Sequence, residues 1–407
     1  MTIDLLTPDA LRNPRELFAS IRDRGPVTWS EAHKAWLVND YQSVVDGFRD
    51  TETLTSDRLT PLERRLSQER RETLALTFEV LRGWMTFHDA PRHAVLRNPV
   101  RRAFTPKRVG DLRQTTTRIV DELLNNLEER VGETVDLKQE FAFPMPAIVI
   151  AELLDIPASD RHRFQDWSRK LSAIVFGESE NIDQAATAAD GSAEFTEYFQ
   201  WLIRERTEAP GDDLISALIA ARGTDDSPGL TDMELVGACT LLLFAGHETT
   251  TNLITNSSLA LLEYPDQTRA LVSDESLLPS AIEELIRHDG PVKIMVRSVS
   301  RDHLREGQEL RAGDSVFLSV TGANHDPSVF QSPDELDLRR STKTPHVGFG
   351  QGPHFCLGHA LARLELGTAL PALFKRFPGL ELATDHVEWE PLILVRSAAD
   401  LPVRLNR

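Results

Sequence analysis

Apolar residues along this chain recur mostly at intervals of three and four, the spacing of one helix face. Between Asp111 and Arg130 they fall at Leu112, Ile119, Val120, Leu123, Leu124 and Leu127, which predicts an amphipathic helix. Thr231, with Glu234 three residues on, has the form of a capping box. The helix it opens enters an almost unbroken apolar run, Leu235 to Phe244, and continues past Thr251 to about Glu263. Tyr264-Pro265 then stops it. A helix so long and apolar on most sides is expected to be buried and to cross the centre of the molecule.

Period-two alternation is rare and short. Pro26 to Trp29 and Ala35 to Val38 predict an early hairpin, and Val296 to Val299, Glu309-Leu310 and Ser315 to Val320 predict further sheet. Gly223 to Gly229 reads as a surface loop, and the polar, Ala-rich stretch Glu178 to Gly191 as a mobile connection. No interdomain linker or repeat interrupts the pattern. The expected fold is mainly α with small β-sheets, a single domain over residues 1–407.

Composition narrows the function. A formal net charge of -18 argues against binding nucleic acid or an anionic membrane. The N-terminal stretch Met1 to Arg24 has charges throughout and no apolar h-region, so neither a secretion signal nor a membrane anchor is expected. The two cysteines, Cys239 and Cys356, form no disulfide framework or zinc pair, in keeping with a reducing cytoplasm. Cys239 lies inside the apolar run and reads as a packed core residue.

Cys356 stands differently. Phe349-Gly350-Gln351-Gly352-Pro353-His354-Phe355-Cys356-Leu357-Gly358 leads into a helix from about Ala360. Glycines permit positive φ and close approach of backbone to a flat ligand. Such a turn can aim amide N–H groups at one sulfur and favour its thiolate. That leaves a redox thiol, a nucleophile or a buried structural cysteine open.

In the long apolar helix, Ala245-Gly246-His247-Glu248-Thr249-Thr250 places an acid and a hydroxyl where burial is costly unless they have partners or work. Gly246 and Thr back-bonding can open a local kink there, with room for a small ligand. A packing glycine accounts for the same letters. Glu284-Leu285-Ile286-Arg287 is an E-x-x-R quartet, weak alone because Glu79 to Arg82 is another. His93 and Arg97 are four apart and share a helix face, either for an anionic ligand or as part of a solvated basic surface.

Together these segments resemble the cytochrome P450 family, in order and spacing, over nearly the whole chain. Phe349, Gly352, His354, Cys356 and Gly358 fall on the pattern F-x-x-G-x-H-x-C-x-G, and Ala245 to Thr250 on A-G-x-[DE]-T-T. The resemblance implies the cytochrome P450 fold, with haem b between the long helix and the helix after Cys356. It makes Cys356 the axial iron ligand, with Phe349 beside the thiolate and Gly358, Ala245 and Gly246 close to the haem. His93, Arg97, Arg297 and His354 are implied to meet the haem propionates. It makes Glu248 and Thr249 the acid–alcohol pair that delivers protons to dioxygen. It makes Glu284 and Arg287, with Arg340, a structural ion network; Arg339 is the less favoured alternative. His325 stands where the family more often has arginine.

The implied activity is a soluble bacterial-type monooxygenase: one oxygen atom of dioxygen enters a small, largely apolar organic substrate, in secondary or xenobiotic metabolism. Phe87, Leu242, Ile294 and Leu394 are the expected substrate contacts. Electrons would come from a ferredoxin or flavodoxin with its reductase, to a monomer, through a basic patch of Arg101, Arg102, Lys107, Arg108, His359 and Arg363. A peroxide-driven peroxygenase and a non-catalytic haem sensor are the competing readings. The presence of Glu248 and Thr249 weighs against both.

Overall fold

The computed structural model describes residues 3–176, 182–221 and 229–406. Their contacts divide the chain into two compact units, one of residues 1–50, 113–146 and 248–407, the other of residues 51–112 and 147–247. The predicted loop from Gly223 falls almost wholly outside the described residues. Of the connection expected over Glu178 to Gly191, the described part from Ile182 onward is the first turns of a helix, Ile182–Glu208. Its alanines favour helix more than they favour a linker.

In the first unit, four strands hydrogen-bond in the order β1-β2-β4-β3: β1 (Val27–Ser30), β2 (Ala35–Val38), β3 (Ile294–Val299) and β4 (Ser315–Ser319). The hairpin pairs Val27 with Val38, β2 runs parallel to β4, and β3 returns antiparallel with Ile294 opposite Ser319. One face of this sheet is packed by Ile3, Leu5, Phe18 and Ile21 of the N-terminal segment against Leu37, Ile294, Phe317 and Ile393. Side chains alternate along a strand. So Ile294 and Arg297, three apart on β3, leave it on opposite faces.

Five helices carry the rest of the argument: α1 (Arg92–Ala103), α2 (Pro106–Glu128), α3 (Asp232–Glu263), α4 (Leu278–Asp289) and α5 (His359–Arg376). The amphipathic pattern of α2 is met: Leu112, Ile119, Val120, Leu124 and Leu127 are buried. At the start of α3 the capping box closes, Glu234 N donating to Thr231 Oγ1 at 3.2 Å and Thr231 N to Glu234 Oε2 at 2.8 Å. The helix has 32 residues, about 48 Å of rise, and its assignment is unbroken through Gly246, where a kink was expected.

In the second unit, α3 crosses the segment that leads to Phe87 at very short range. A Cβ built on Gly237 would lie 2.5 Å from the Gly83 Cα and 2.9 Å from the Val80 carbonyl oxygen. Only two glycines allow that approach. Beyond it, Trp84 Nε1 donates to Thr240 Oγ1 at 2.9 Å, and its ring packs on Phe244 with centroids 5.3 Å apart.

Gly237→Ala therefore forces backbone against backbone. It is expected to cost about 1–3 kcal/mol, read as a lower urea midpoint. Gly110→Ala, on α2 with nothing within 4 Å of the added Cβ, is expected to stabilise by about 0.5–1 kcal/mol.

Candidate haem-thiolate site

The cysteine loop is built by its own backbone. Gly350 and Gly352 sit at φ +69° and +68°, the left-handed region that suits glycine. A Cβ on Gly352 would meet the Phe48 carbonyl oxygen at 3.0 Å. The turn brings Cys356 N to donate to the Phe349 carbonyl at 2.9 Å. Helix α5 starts three residues later, at His359. The loop is not closed over. Phe349, Phe355, Cys356, Leu357 and Ala360 are all half-buried, so the cysteine and its apolar sequence neighbours stay partly open. Cys239, by contrast, is fully buried, and burial pushes its thiol up to about 12. Of the two cysteines only Cys356 is placed to meet a ligand.

On α3 the residues flanking the acid–alcohol pair form an open stripe. Leu242, Gly246 and Thr249 are half-buried and Ala245 is exposed, while Leu243, Phe244, His247, Thr250 and Thr251 are buried. Positions 242, 245, 246 and 249 share one helix face. The His247 ring contacts the Leu243 carbonyl at 2.8 Å. The charge of Glu248 acts on Lys138, whose ammonium donates to Ser397 Oγ at 3.2 Å and to the Ala398 carbonyl. Burial lowers the Lys138 ammonium, and Glu248 partly offsets that.

The E-x-x-R quartet on α4 closes a buried network. Glu284 and Arg287 are 2% and 3% exposed. Arg287 donates to both Glu284 oxygens, at 2.7 and 2.8 Å, and to the Asn324 and Pro333 carbonyls. Arg340 Nε completes it at 2.9 and 3.0 Å from the same carboxylate, and Asp337 N adds a fourth donor. Arg340, not Arg339, is the second guanidinium. At the other E-x-x-R, Glu79 is exposed and Arg82 pairs with Glu63 instead.

The remaining expected residues are placed as follows. His93 is buried on α1 and Arg97 is half-buried one turn on. Arg297 is 4% exposed on β3. His354 is half-buried within the cysteine loop and Gly358 caps α5. Phe87 is buried, stacked on Trp84 with centroids 5.9 Å apart and covered by the Arg58 guanidinium at 4.9 Å. Leu394 is half-buried, and its carbonyl accepts from Lys293 N at 2.8 Å. Ile294 does not fit its expected role. It is wholly buried in the core of the sheet, and Met295 is the residue that shares the Arg297 face.

Of the expected basic patch, Arg101, Arg102 and Lys107 are exposed, but Arg108 pairs with Asp212 and Arg363 with Glu283.

Three further polar groups are buried, of which Glu365 escaped the sequence. Lys293 is 5% exposed and its ammonium donates to the Leu392 carbonyl at 2.7 Å. Burial, then the charge of Arg396, pulls that ammonium down to about 7. Glu365 on α5 is fully buried, which raises its carboxyl well above the usual range; Thr250, the residue after Thr249, opposes this. His325 is kept neutral by burial and by the neighbouring Arg15 and Arg287. Lys293 and Glu365 sit among apolar neighbours, and in one dimension such a residue reads as a packing exception.

The donor set suits a haem. Among the described residues no group of three or more His, Cys, Asp and Glu could hold a metal ion. One half-buried cysteine on a fixed loop would suit a haem, which needs a single protein thiolate. The fold and the site define a haem-thiolate protein.

The comparisons agree. The family described as Cytochrome P450 matches residues 66–391, and the chain belongs to that family. It is 34% identical to the polyketide biosynthesis cytochrome P450 PksS of Bacillus subtilis, across 97% of this chain and 96% of that one. It is 40% identical to cytochrome P450 107B1 of Saccharopolyspora erythraea, across 91% and 89%. The crystal structure of P450BioI in complex with hexadec-9Z-enoic acid ligated acyl carrier protein superposes with a TM-score of 0.89, at 31% identity over 98% and 99% of the two chains. The protein is thus a haem-iron oxidoreductase of the monooxygenase class. No helix among the described residues is long and apolar enough to cross a membrane.

Glu284→Gln leaves the buried Arg287 and the half-buried Arg340 guanidiniums facing a neutral amide. It is expected to destabilise the protein by about 3–5 kcal/mol and to lower the haem retained on purification. Glu79→Gln, on the exposed turn, should move stability by no more than about 0.5 kcal/mol.

Proposed function

We propose that this protein is a monooxygenase that inserts one oxygen atom of dioxygen into a C–H or C=C bond of a small, largely apolar substrate, with haem b bound through Cys356. The observation that carries this reading is a half-buried Cys356 on a loop fixed by two left-handed glycines and by its own amide bond to the Phe349 carbonyl. Bound there, the haem supplies dioxygen activation, which a thiolate ligand favours by donating electron density.

The chain's own residues do the rest. Amide donors and the start of α5 stabilise Cys356 as thiolate. His93, Arg97, Arg297 and His354 would hold the propionates, as cations and hydrogen-bond donors suited to carboxylates. Ala245, exposed on the α3 stripe, would leave room for a flat ring with Gly246 beside it. Thr249 would offer a hydrogen bond on that stripe, and Glu248 would carry protons towards it from solvent. Lys138, held by the Ser397-Ala398 segment, sets a positive charge in the field of Glu248.

Phe87, Leu242, Met295 and Leu394 are the substrate contacts of this reading, apolar as a hydrophobic substrate requires. Lys293, whose ammonium burial holds well below its ordinary value, is the one polar exception. Names among the relatives include a polyketide-biosynthesis enzyme and a vitamin D(3) 25-hydroxylase. Apolar natural products of polyketide or sterol-like type are therefore the substrates to screen first. Electrons enter one at a time from a ferredoxin or flavodoxin with its reductase. Residues 1–407 act as one catalytic domain and one monomer.

Cys356→Ser is expected to abolish the red-shifted absorption band of the reduced carbon monoxide complex; retention of that band defeats the assignment. Thr249→Ala should still take up electrons but form less product per electron, by a factor on the order of 10², with peroxide released instead. Equal turnover on peroxide alone, without a redox chain, would mark a peroxygenase.

A further inference from the structure

Phe349 sits in a box of charge. The Arg363 guanidinium lies over its ring, 4.4 Å from the centroid. His346, His359 and Phe355 surround the same ring at 5.6, 6.1 and 6.4 Å. Arg363 is clamped from α4. Its Nε donates to Glu283 Oε1 at 2.5 Å and its Nη2 to Oε2 at 2.9 Å, a two-point fork that fixes the plane of the guanidinium. Its Nη1 meets His359 Nδ1 at 2.8 Å and the His359 carbonyl at 3.2 Å.

His346 finishes the clamp. Its Nδ1 accepts from Gly348 N at 3.0 Å, so its proton is on Nε2, which lies 3.2 Å from Glu283 Oε2. Arg363 thus touches one carboxylate, one histidine and one aromatic ring, with His346 and Phe355 beyond them. Burial alone would raise the Glu283 carboxyl, but Arg363 and His346 hold it down to about 2, so it is ionised throughout the working range. Burial, then Arg363, keeps His359 below its ordinary value. The cluster is a fixed cation with a fixed counter-anion.

This pair is coupled to the cysteine by backbone. The residue whose ring Arg363 covers is the one whose carbonyl accepts from Cys356 N. A cation over an aromatic face is held by the ring's quadrupole as well as by its carboxylate. Charge and hydrogen bonding around a thiolate are among the levers by which a protein tunes iron.

We propose that Arg363 is a positioning residue whose charge, held over Phe349, raises the reduction potential of the iron at Cys356, and that Glu283 is the counter-charge that lowers it. This rests on the reading of Cys356 as the iron ligand. Reduction adds one electron, so a nearby cation favours the reduced state and a nearby anion the oxidised one. The two residues therefore act with opposite signs, although they form one ion pair. A packing role for the same pair would give one sign, because losing either partner loosens the same ring.

The test is a spectroelectrochemical titration of the haem-loaded enzyme, without substrate and at one pH. Arg363→Gln is expected to shift the reduction equilibrium about tenfold towards the ferric form, about 59 mV downward for a one-electron couple. Glu283→Gln is expected to move it in the opposite direction, and Arg363→Lys to stay near the parent. Shifts of the same sign in both neutral variants, or none in either, overturn the proposal. The carbon monoxide band separates the two levels of argument. Its absence in the parent removes Cys356 as the ligand and this proposal with it. Its presence in the parent but loss in both variants makes the pair a structural clamp only and overturns the charge role alone.

Discussion

The structure depends on one buried carboxylate. Glu284 receives two guanidiniums and a backbone amide in a setting almost closed to water. Each guanidinium then spends its remaining donors on main-chain carbonyls between Asn324 and Glu335. A buried ion pair is a poor source of net stability, because desolvation cancels most of its attraction. Its value here is positional. It turns an irregular stretch of chain, with few partners of its own, into a fixed surface. Asn324 extends that surface to the cysteine loop, since its Oδ1 accepts from Val347 N at 2.8 Å.

Two adjacent glutamates on α4 thus serve different neighbours. Glu284 faces the carbonyl-rich segment and Glu283 faces α5 and the loop. Successive helix residues point about 100° apart, so a Glu-Glu pair is a simple way to send charge in two directions from one turn. Arg287 and Arg363 answer them separately. The cysteine loop is held from below by hydrogen bonds to its backbone and from the side by a cation on its aromatic residue.

Much of this was legible in one dimension. The capping box, the stop at Tyr264-Pro265, the hairpin and the choice of Arg340 all follow from local rules or from motif order. These are the features whose physics acts over a few residues. Ile294 shows the limit: its neighbours on the strand are apolar too, and only pairing with β4 decides which of them turns inward. Glu283 beside Glu284, and Glu365 within an apolar helix, were invisible for another reason. Their partners are tens of residues away, and no spacing in the sequence announces a contact with Arg363 or Thr250. Gly246, with Thr back-bonding, was read as the maker of a kink. In three dimensions the helix runs on regularly, and a Cβ on Gly246 would press on the Ile150 side chain at 3.1 Å, so this glycine makes room for a packed neighbour.

The close pass of Gly83 and Gly237 has a practical consequence for anyone wishing to alter what the enzyme accepts. Trp84 and Phe87 follow directly from that crossing, and their placement is inherited from it rather than from the loop they belong to. Libraries that vary those aromatic rings can keep the backbone as a constant. Libraries that also vary either glycine change the frame of reference, and their side-chain effects would no longer be comparable from one variant to the next.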